Sequence, residues 1–456
     1  MRFCLVRAQK LIFLKIHFTK QRRFFSSCKS IIDFQVQCTL KTYKLPRSTD
    51  PESKGCQPQL CKYRSLVSEA RLASGSLKME NIPQEILIEI LIRLPVKSLI
   101  RFILVSKTWQ CLITSPNFIF THLKKIQSQP NKNHSLLLCR HYSRNDQTEH
   151  YSLHPDNDDF VQKSSKIRFP LKSKVGCYRI VGCCNGLVCL CDDMFGTFRL
   201  KPIILWNPSV QKSVELPLPS IQPYWDRSRI FLLGFGCDFQ GFDYKVVRIV
   251  YDRLYGLSVG VEVYSLSTKS WKVLAHGPQT CPRYYITDKN LSQAFVNGVM
   301  HWLAHRRKGS LGNSIMGFDM KDEIFIEIFL PEALVDERAA NLFLMKHGGC
   351  LAVMKYNGYE NNYSLWVMKE YGNVESWKRL YDIGLLEGME NVIGFSKNGH
   401  LFVTMFVDEM FVSDPGSGVL VSFDLESRKI KDLEIFGKLG SIYVENFVES
   451  LVLLEG

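Results

Sequence analysis

Asn185-Gly186-Leu187-Val188 is a hairpin written in four residues: a two-residue turn followed by the first pair of an apolar strand. Asn-Gly suits the tight turn that needs positive φ at both central positions, so it joins antiparallel strands without splaying them. The unit returns as Asn297-Gly298-Val299-Met300, Gly348-Gly349-Cys350-Leu351 and Asn398-Gly399-His400-Leu401, each with an apolar strand on either side. One period is an exception, where Gly234-Phe235-Gly236 and Tyr244-Lys245-Val246-Val247 fill the same role around a longer turn.

A second unit interleaves with the first. It is a strand ending in a polar turn, then Lys or Ser, then a strand closing on Leu or Pro. Its copies begin near Tyr151, Trp206, Tyr264, Phe318, Trp366 and Phe423, at spacings of 55, 58, 54, 48 and 57 residues. Two hairpins per period make four strands, the blade of a β-propeller, and six copies predict a ring of six blades. The first period, from Ser135, lacks its innermost strand, whereas the last ends with a surplus one, Ile442 to Phe447. That C-terminal strand is expected to complete the first blade and remove an open edge.

Upstream, the period changes from two to 3.6. Asn81 is placed to N-cap a helix with Pro83 in its first turn and Gln84 at the reciprocal capping position. The helix is expected to run to Leu94, where Pro95 stops it. Glu85, Glu89 and Arg93 form its one polar stripe, and the rest of its circumference, including Ile82, Ile86, Leu87, Ile90, Leu91 and Leu94, is apolar. A helix apolar on so much of its surface calls for more than one partner. Shorter segments follow: Val96 to Leu104 with Leu99, Phe102 and Ile103 in phase, then Ser106 capping a stretch with Trp109, Leu112 and Ile113. Pro116 interrupts before Phe118-Ile119-Phe120 and a basic exit at Lys124-Lys125. Roughly 45 residues make a marginal core alone, and leftover apolar surface on such a module marks a protein interface.

The run Ile82-Pro83-x-Glu85-Ile86-x-x-Glu89-Ile90-Leu91-x-Arg93-Leu94-Pro95-Val96-Lys97-Ser98-Leu99-Ile100-Arg101-Phe102, followed by Val105-Ser106-Lys107-x-Trp109 and Ser115-Pro116-x-Phe118, resembles an F-box of the plant type. Departures are mild: Ile82 stands where Leu is usual, Ile103 and Leu104 where a basic residue and Cys are common, and Ser106 for a frequent Cys. Cys184-Asn185-Gly186-Leu187, Leu205-Trp206-Asn207-Pro208, Gly234-Phe235-Gly236, Asp243-Tyr244-Lys245-Val246-Val247, Val263-Tyr264-Ser265-Leu266, His301-Trp302 and Ser376-Trp377 likewise resemble the F-box-associated, kelch-like domain of plant F-box proteins. The fold expected is therefore α+β multidomain: a basic, unfolded extension over 1–78, an all-α F-box over 79–125, and an all-β propeller of six four-stranded blades over 126–456.

Charge is distributed unevenly between these parts. The 456 residues carry 58 Lys and Arg against 44 Asp and Glu, a net charge of +14 that suggests a polyanion binder. Yet residues 1–78 alone hold 16 basic and four acidic residues, leaving 42 against 40 in the remainder. The extension is acid-free over its first 32 residues and contains Arg22-Arg23-Phe24-Phe25-Ser26-Ser27, which also fits an organelle transit peptide. A further possibility is that translation begins at Met79. The main expectation is a nuclear or cytoplasmic protein without organelle targeting. No apolar run exceeds five residues, against about 20 for a membrane-spanning helix. Fifteen cysteines, an odd number spread over a long chain, suit free thiols in a reducing compartment.

Candidate chemistry is sparse. Cys177, Cys183, Cys184, Cys189 and Cys191 crowd one hairpin, but their spacing is not that of paired zinc knuckles, and alternation puts Cys189 and Cys191 on one strand face as small apolar residues. No metal or cofactor is expected. His301 reads as a strand residue with no nucleophile signature beside it, and Trp206, Trp271, Trp302, Trp366 and Trp377 read as blade packing. The resemblance implies a non-catalytic substrate-recognition subunit of an SCF-type cullin–RING ubiquitin ligase. In it the F-box binds a Skp-family adaptor, and through it cullin and RING subunits, while the propeller binds the protein to be ubiquitinated. The adaptor-contact candidates are Ile82, Pro83, Ile86, Leu87, Ile90, Leu91, Leu94, Pro95, Val96, Leu99, Val105 and Trp109. The alternatives are a stand-alone ligand- or glycan-binding propeller or enzyme whose helical module serves oligomerisation, and nucleic-acid binding through the basic arm. For substrate contact, the insertions Pro219 to Arg229 and Gly277 to Lys289 stand out as the longest.

Overall fold

A computed structural model describes residues 84–128, 135–174, 176–192, 202–221, 229–252, 258–276, 284–285, 293–306, 312–384, 388–406 and 416–453. They divide into two compact units between residues 126 and 127.

The first unit is helical. α1 (Gln84–Leu91) gives way to a tightened turn in which the Arg93 and Leu94 N–H groups donate to Ile90 and Leu91 carbonyls at 3.2 and 3.0 Å. The regular helix thus ends three residues before the expected Leu94, because the residue preceding a proline is pushed out of the helical region. Asn81 and Pro83, the expected start, lie outside the described residues. α2 (Val96–Phe102) and α3 (Lys107–Thr114) follow, the latter capped as expected by Ser106, whose Oγ accepts the Trp109 N–H at 3.2 Å. Pro116 does more than interrupt: it opens α4 (Pro116–Ser128), occupying a first-turn position whose missing N–H is free of cost.

The second unit is built of six blades. β1 (Leu136–Ser143), β2 (Thr148–Pro155) and β3 (Ser165–Ile167) belong to blade 1, and β4 (Arg179–Cys184), β5 (Leu187–Cys191), β6 (Ile203–Asn207) and β7 (Lys212–Glu215) form blade 2. Blade 3 is β8 (Arg229–Asp238), β9 (Asp243–Asp252), β10 (Ser258–Ser265) and β11 (Ser270–His276). In blade 4, a short β12 (Tyr284–Tyr285) and then β13 (Gln293–Val296) both pair with β14 (Val299–Arg306), which continues to β15 (Asn313–Asp319) and β16 (Phe325–Phe329). Blade 5 is β17 (Leu342–His347), β18 (Cys350–Asn357), β19 (Asn362–Met368) and β20 (Trp377–Gly384). Blade 6 is β21 (Met389–Phe395), β22 (Leu401–Phe406), β23 (Ser417–Phe423) and β24 (Ile430–Lys438). The last strand, β25 (Tyr443–Phe447), pairs antiparallel with β1, Leu136 opposite Phe447 and Arg140 opposite Tyr443. The C-terminal strand therefore closes blade 1, as the surplus strand in the sequence predicts. Inner strands touch around the ring in the order β25, β4, β8, β13, β17, β21 and back to β25.

Local chemistry explains the turns. Asn185 and Gly186 have φ of 51° and 81°, Asn297 and Gly298 of 53° and 81°, the left-handed pair a two-residue hairpin requires. Gly234 and Gly236 serve differently, inside β8: a Cβ on Gly236 would lie 2.3 Å from the Phe295 ring, and one on Gly234 2.5 Å from Trp302. They let the next blade's aromatics press against the strand. The core accordingly lies between blades, with Val247, Val263, Trp302 and Phe318 packing blade 3 on blade 4, and Leu137, Phe402, Leu420 and Val444 packing blade 6 on blade 1. Among the described residues no helix is long and apolar enough to cross a membrane.

Candidate functional site

In the helical unit the candidate residues occupy three kinds of position. Ile90, Leu91, Leu94, Val96, Leu99 and Trp109 are buried, and the Trp109 ring meets Phe102 edge-on at 5.3 Å. The Leu94–Pro95 corner is pinned from α4, where His122 Nε2–H donates to the Leu94 carbonyl at 2.9 Å; burial lowers the pKa of this histidine and keeps it neutral. Leu87 and Val105 are half-buried, and Pro95 is exposed. Ile82, Pro83 and the Ile86 side chain lie outside the described residues. As placed, six of the candidates support the surface from beneath, and Leu87, Pro95 and Val105 reach it.

One surface residue escapes the list of candidates. Leu104 is 74 % exposed, the most exposed large apolar side chain among the described residues of this unit. It sits in the turn between α2 and α3, out of phase with the buried stripe of Leu99 and Phe102, and that mismatch was its signal in the sequence.

In the propeller, the residues singled out for chemistry are built into the scaffold. His301 on β14 donates from Nδ1 to the Ala294 carbonyl at 3.0 Å and accepts at Nε2 from the Tyr371 hydroxyl at 2.8 Å. Burial holds its pKa down to about 4, so it is a neutral strut between blades 4 and 5. Cys189 and Cys191 are buried on β5, and desolvation keeps the Cys189 thiol protonated. Cys184 Sγ lies 3.3 Å from Cys237 Sγ, joining β4 to β8. Trp271 Nε1 donates to the Pro217 carbonyl at 2.7 Å and Trp377 Nε1 to the Phe329 carbonyl at 3.1 Å, each tying a blade to its predecessor. Trp206 and Trp302 are buried, while Trp366 is half-buried.

Between blades 2 and 3 lies a polar knot absent from the sequence expectations. Arg248 and Glu262, both buried, form an ion pair. Glu262 accepts the N–H groups of Ser220 and Ile221 at 2.9 and 3.1 Å, and Arg248 donates to the Ile221 carbonyl at 2.8 Å. The knot fixes the start of the Pro219 to Arg229 insertion. Residues 222–228 of that insertion, and all of Gly277 to Lys289 except 284–285, lie outside the described residues.

Two family profiles match the chain, one on each unit. The F-box domain profile matches residues 79–121, and that of the F-box associated beta propeller domain matches 135–437. F-box protein At3g07870 of Arabidopsis thaliana is 29% identical over 391 residues, covering 79% of this chain and 88% of its own length. F-box protein CPR1 of the same plant is 29% identical over 392 residues, covering 82% and 89%. Among solved structures, a six-bladed fungal lectin of Aleuria aurantia aligns at a TM-score of 0.35 and 9% identity, over 67% of this chain and 96% of the lectin. With an F-box profile on the helices and an F-box-associated profile spanning most of the blades, the chain belongs to the plant F-box proteins that carry an F-box-associated β-propeller domain.

Proposed function

We propose that this protein is the substrate-recognition subunit of an SCF-type cullin–RING ubiquitin ligase, acting in the nucleus or cytoplasm. Residues 79–125 dock on a Skp-family adaptor and through it on cullin and RING subunits, and 126–456 hold the protein to be ubiquitinated, with 1–78 a basic extension outside both. The chain makes no bonds itself. It converts a chance encounter between target and charged enzyme into an effectively intramolecular one.

The observation that carries this reading is the apolar surface left on an F-box unit whose core is already filled. Leu104 is 74 % exposed while Leu91, Leu94 and Leu99 beneath are buried. Contact with the adaptor is assigned to Leu104, Leu87, Pro95 and Val105, with Ile82, Pro83 and Ile86 retained from the sequence. Core positions such as Ile90 and Leu94 are not useful probes, because a charge at a buried site unfolds the unit and removes binding for the wrong reason.

Co-expression with a Skp-family adaptor tests the proposal. Wild type is expected to copurify near 1:1, and Leu104→Asp to lose at least about tenfold in affinity with an unchanged circular dichroism spectrum. No copurification by wild type would overturn the receptor reading.

A further inference from the structure

Blades 2 and 3 meet along their innermost strands, β4 and β8, and two pairs of residues face each other across that seam. An ideal Cβ on Gly182 would lie 3.8 Å from the Phe235 Cβ, so the two backbones approach closely there. Two residues further along each strand, on the same faces by strand alternation, stand Cys184 and Cys237. Their sulfurs are 3.3 Å apart, which is contact without a bond. A disulfide needs Cβ atoms about 3.8 Å apart and sulfurs about 2.05 Å apart, so the Gly182–Phe235 separation, one strand repeat away, is that of a pair that can be bridged. Side-chain rotation closes what remains.

The surroundings give the two thiols different parts. Cys184 Sγ–H donates to Cys237 Sγ, and this bond, then burial, raise the Cys184 pKa well above that of a free thiol. Asn185 Nδ2 also donates to Cys237 Sγ, at 3.3 Å. Two donors thus converge on the Cys237 sulfur, and the same two would meet a thiolate formed there. Cys184 and Cys237 are 6 % and 3 % exposed, but Asn185, which touches Cys237, is half-buried. The pair therefore lies one side chain in from solvent, too deep for a bulky oxidant and within reach of one the size of water. Packing alone would be served at this seam by a small residue facing a large one, as Gly182 faces Phe235. Two sulfurs in contact add a chemistry.

We propose that Cys184 and Cys237 are an oxidation site for peroxide, forming a reversible disulfide that ties blade 2 to blade 3 beside the Asn185-Gly186 turn. Cys237 gives its proton to water and its sulfur attacks one peroxide oxygen; the O–O bond breaks, hydroxide leaves and takes up a proton, and Cys237 becomes a sulfenic acid. The Cys184 sulfur then displaces the sulfenic oxygen, which departs as water with the Cys184 proton. Two thiols and one peroxide give one disulfide and two waters: the sulfurs lose two electrons and the peroxide gains them. A thiol reductant reverses the reaction by exchange. The crosslink closes a loop of about 50 residues and stabilises the ring chiefly by restricting the unfolded chain. None of this depends on the adaptor or on what the propeller holds.

The test treats the folded, full-length protein with hydrogen peroxide, blocks the remaining free thiols with N-ethylmaleimide after denaturation, and maps the peptides by mass spectrometry. The expected product joins the peptide of Cys183-Cys184 to that of Cys237, is absent when a reductant is kept throughout and disappears on later addition of dithiothreitol. With it the melting temperature of the propeller is expected to rise by about 5 °C. Because Cys183 shares the peptide, Cys183→Ser is expected to keep the crosslink, and Cys184→Ala to lose it together with the rise in melting temperature. The mapping itself is read on wild type, so a variant that folds poorly does not decide the outcome. Recovery of both Cys184 and Cys237 as maleimide adducts after peroxide, overoxidation of either without a crosslink, or a crosslink that survives Cys184→Ala overturns the proposal.

Discussion

The helical unit and the propeller bury apolar side chains by opposite routes. In the first, contacts are local: Trp109 meets Phe102 seven positions away, His122 pins Leu94, and Leu104 is left in solvent. In the second, the decisive contacts join the ends of the domain. β1 pairs with β25 some 300 residues later, and Asn207 Nδ2 holds the carbonyls of Ser450 and Val452 at 3.1 and 2.8 Å. A ring leaves no open inner edge, whereas a short helical unit cannot enclose all of its own surface. The propeller thus closes on itself, whereas the helical unit leaves Leu104 exposed, as the adaptor docking proposed above requires.

The contrast can be broken most severely at the closure. Removing the residues after Gly440 deletes β25 and the tail that Asn207 grips, so the propeller is expected to lose its cooperative thermal transition entirely. A truncated chain that melts like the full one would show that the ring does not depend on its last strand. The next largest effect belongs to the buried knot. Arg248→Met leaves Glu262 uncompensated in the interior and is expected to cost about 3–5 kcal/mol in urea unfolding. Replacing both partners with apolar residues should recover much of that loss.

Acid separates the scaffold from its surface. His301 is neutral when folded, with a pKa of about 4 against 6.5 for the unfolded chain. Its folded pKa is depressed, so the unfolded state takes up the proton first: stability is intact above pH 6.5 and falls as pH drops from there towards 4. The loss is at most about 3 kcal/mol, and His301→Gln should flatten the slope of stability against pH in that window. The smallest effect lies in the helical unit, where Ser106→Ala removes the cap of α3 and should cost about 1 kcal/mol, seen as a lowered melting temperature of that unit alone.

Much of this was legible beforehand. Hairpin signals such as Asn185-Gly186 and a period near 54 residues gave six blades, since strand alternation and positive-φ turns are local demands that a sequence states directly. The surplus strand after Gly440 gave the closure. The cap at Ser106 was equally local. Less legible was which apolar residues of the helical unit face solvent: α1 is apolar on nearly all sides, and composition alone does not separate a core leucine such as Leu91 from an exposed one such as Leu104. The early end of α1 and the start of α4 at Pro116 turned on a competition between proline geometry and helix period.

By itself, then, the sequence determined the family, the order of a helical unit before a propeller, the blade repeat and the strand that closes it, because each is written in neighbouring residues or in a regular period. Only the tertiary structure decided that Arg248 and Glu262 share a buried pair and that Leu104 stands exposed beside a buried core. Arg248 and Glu262 face each other across β9 and β10 of one blade, but their burial depends on the Ser220–Ile221 segment that bonds to both, and the exposure of Leu104 depends on how the helices pack, neither of which the spacing of neighbouring residues states.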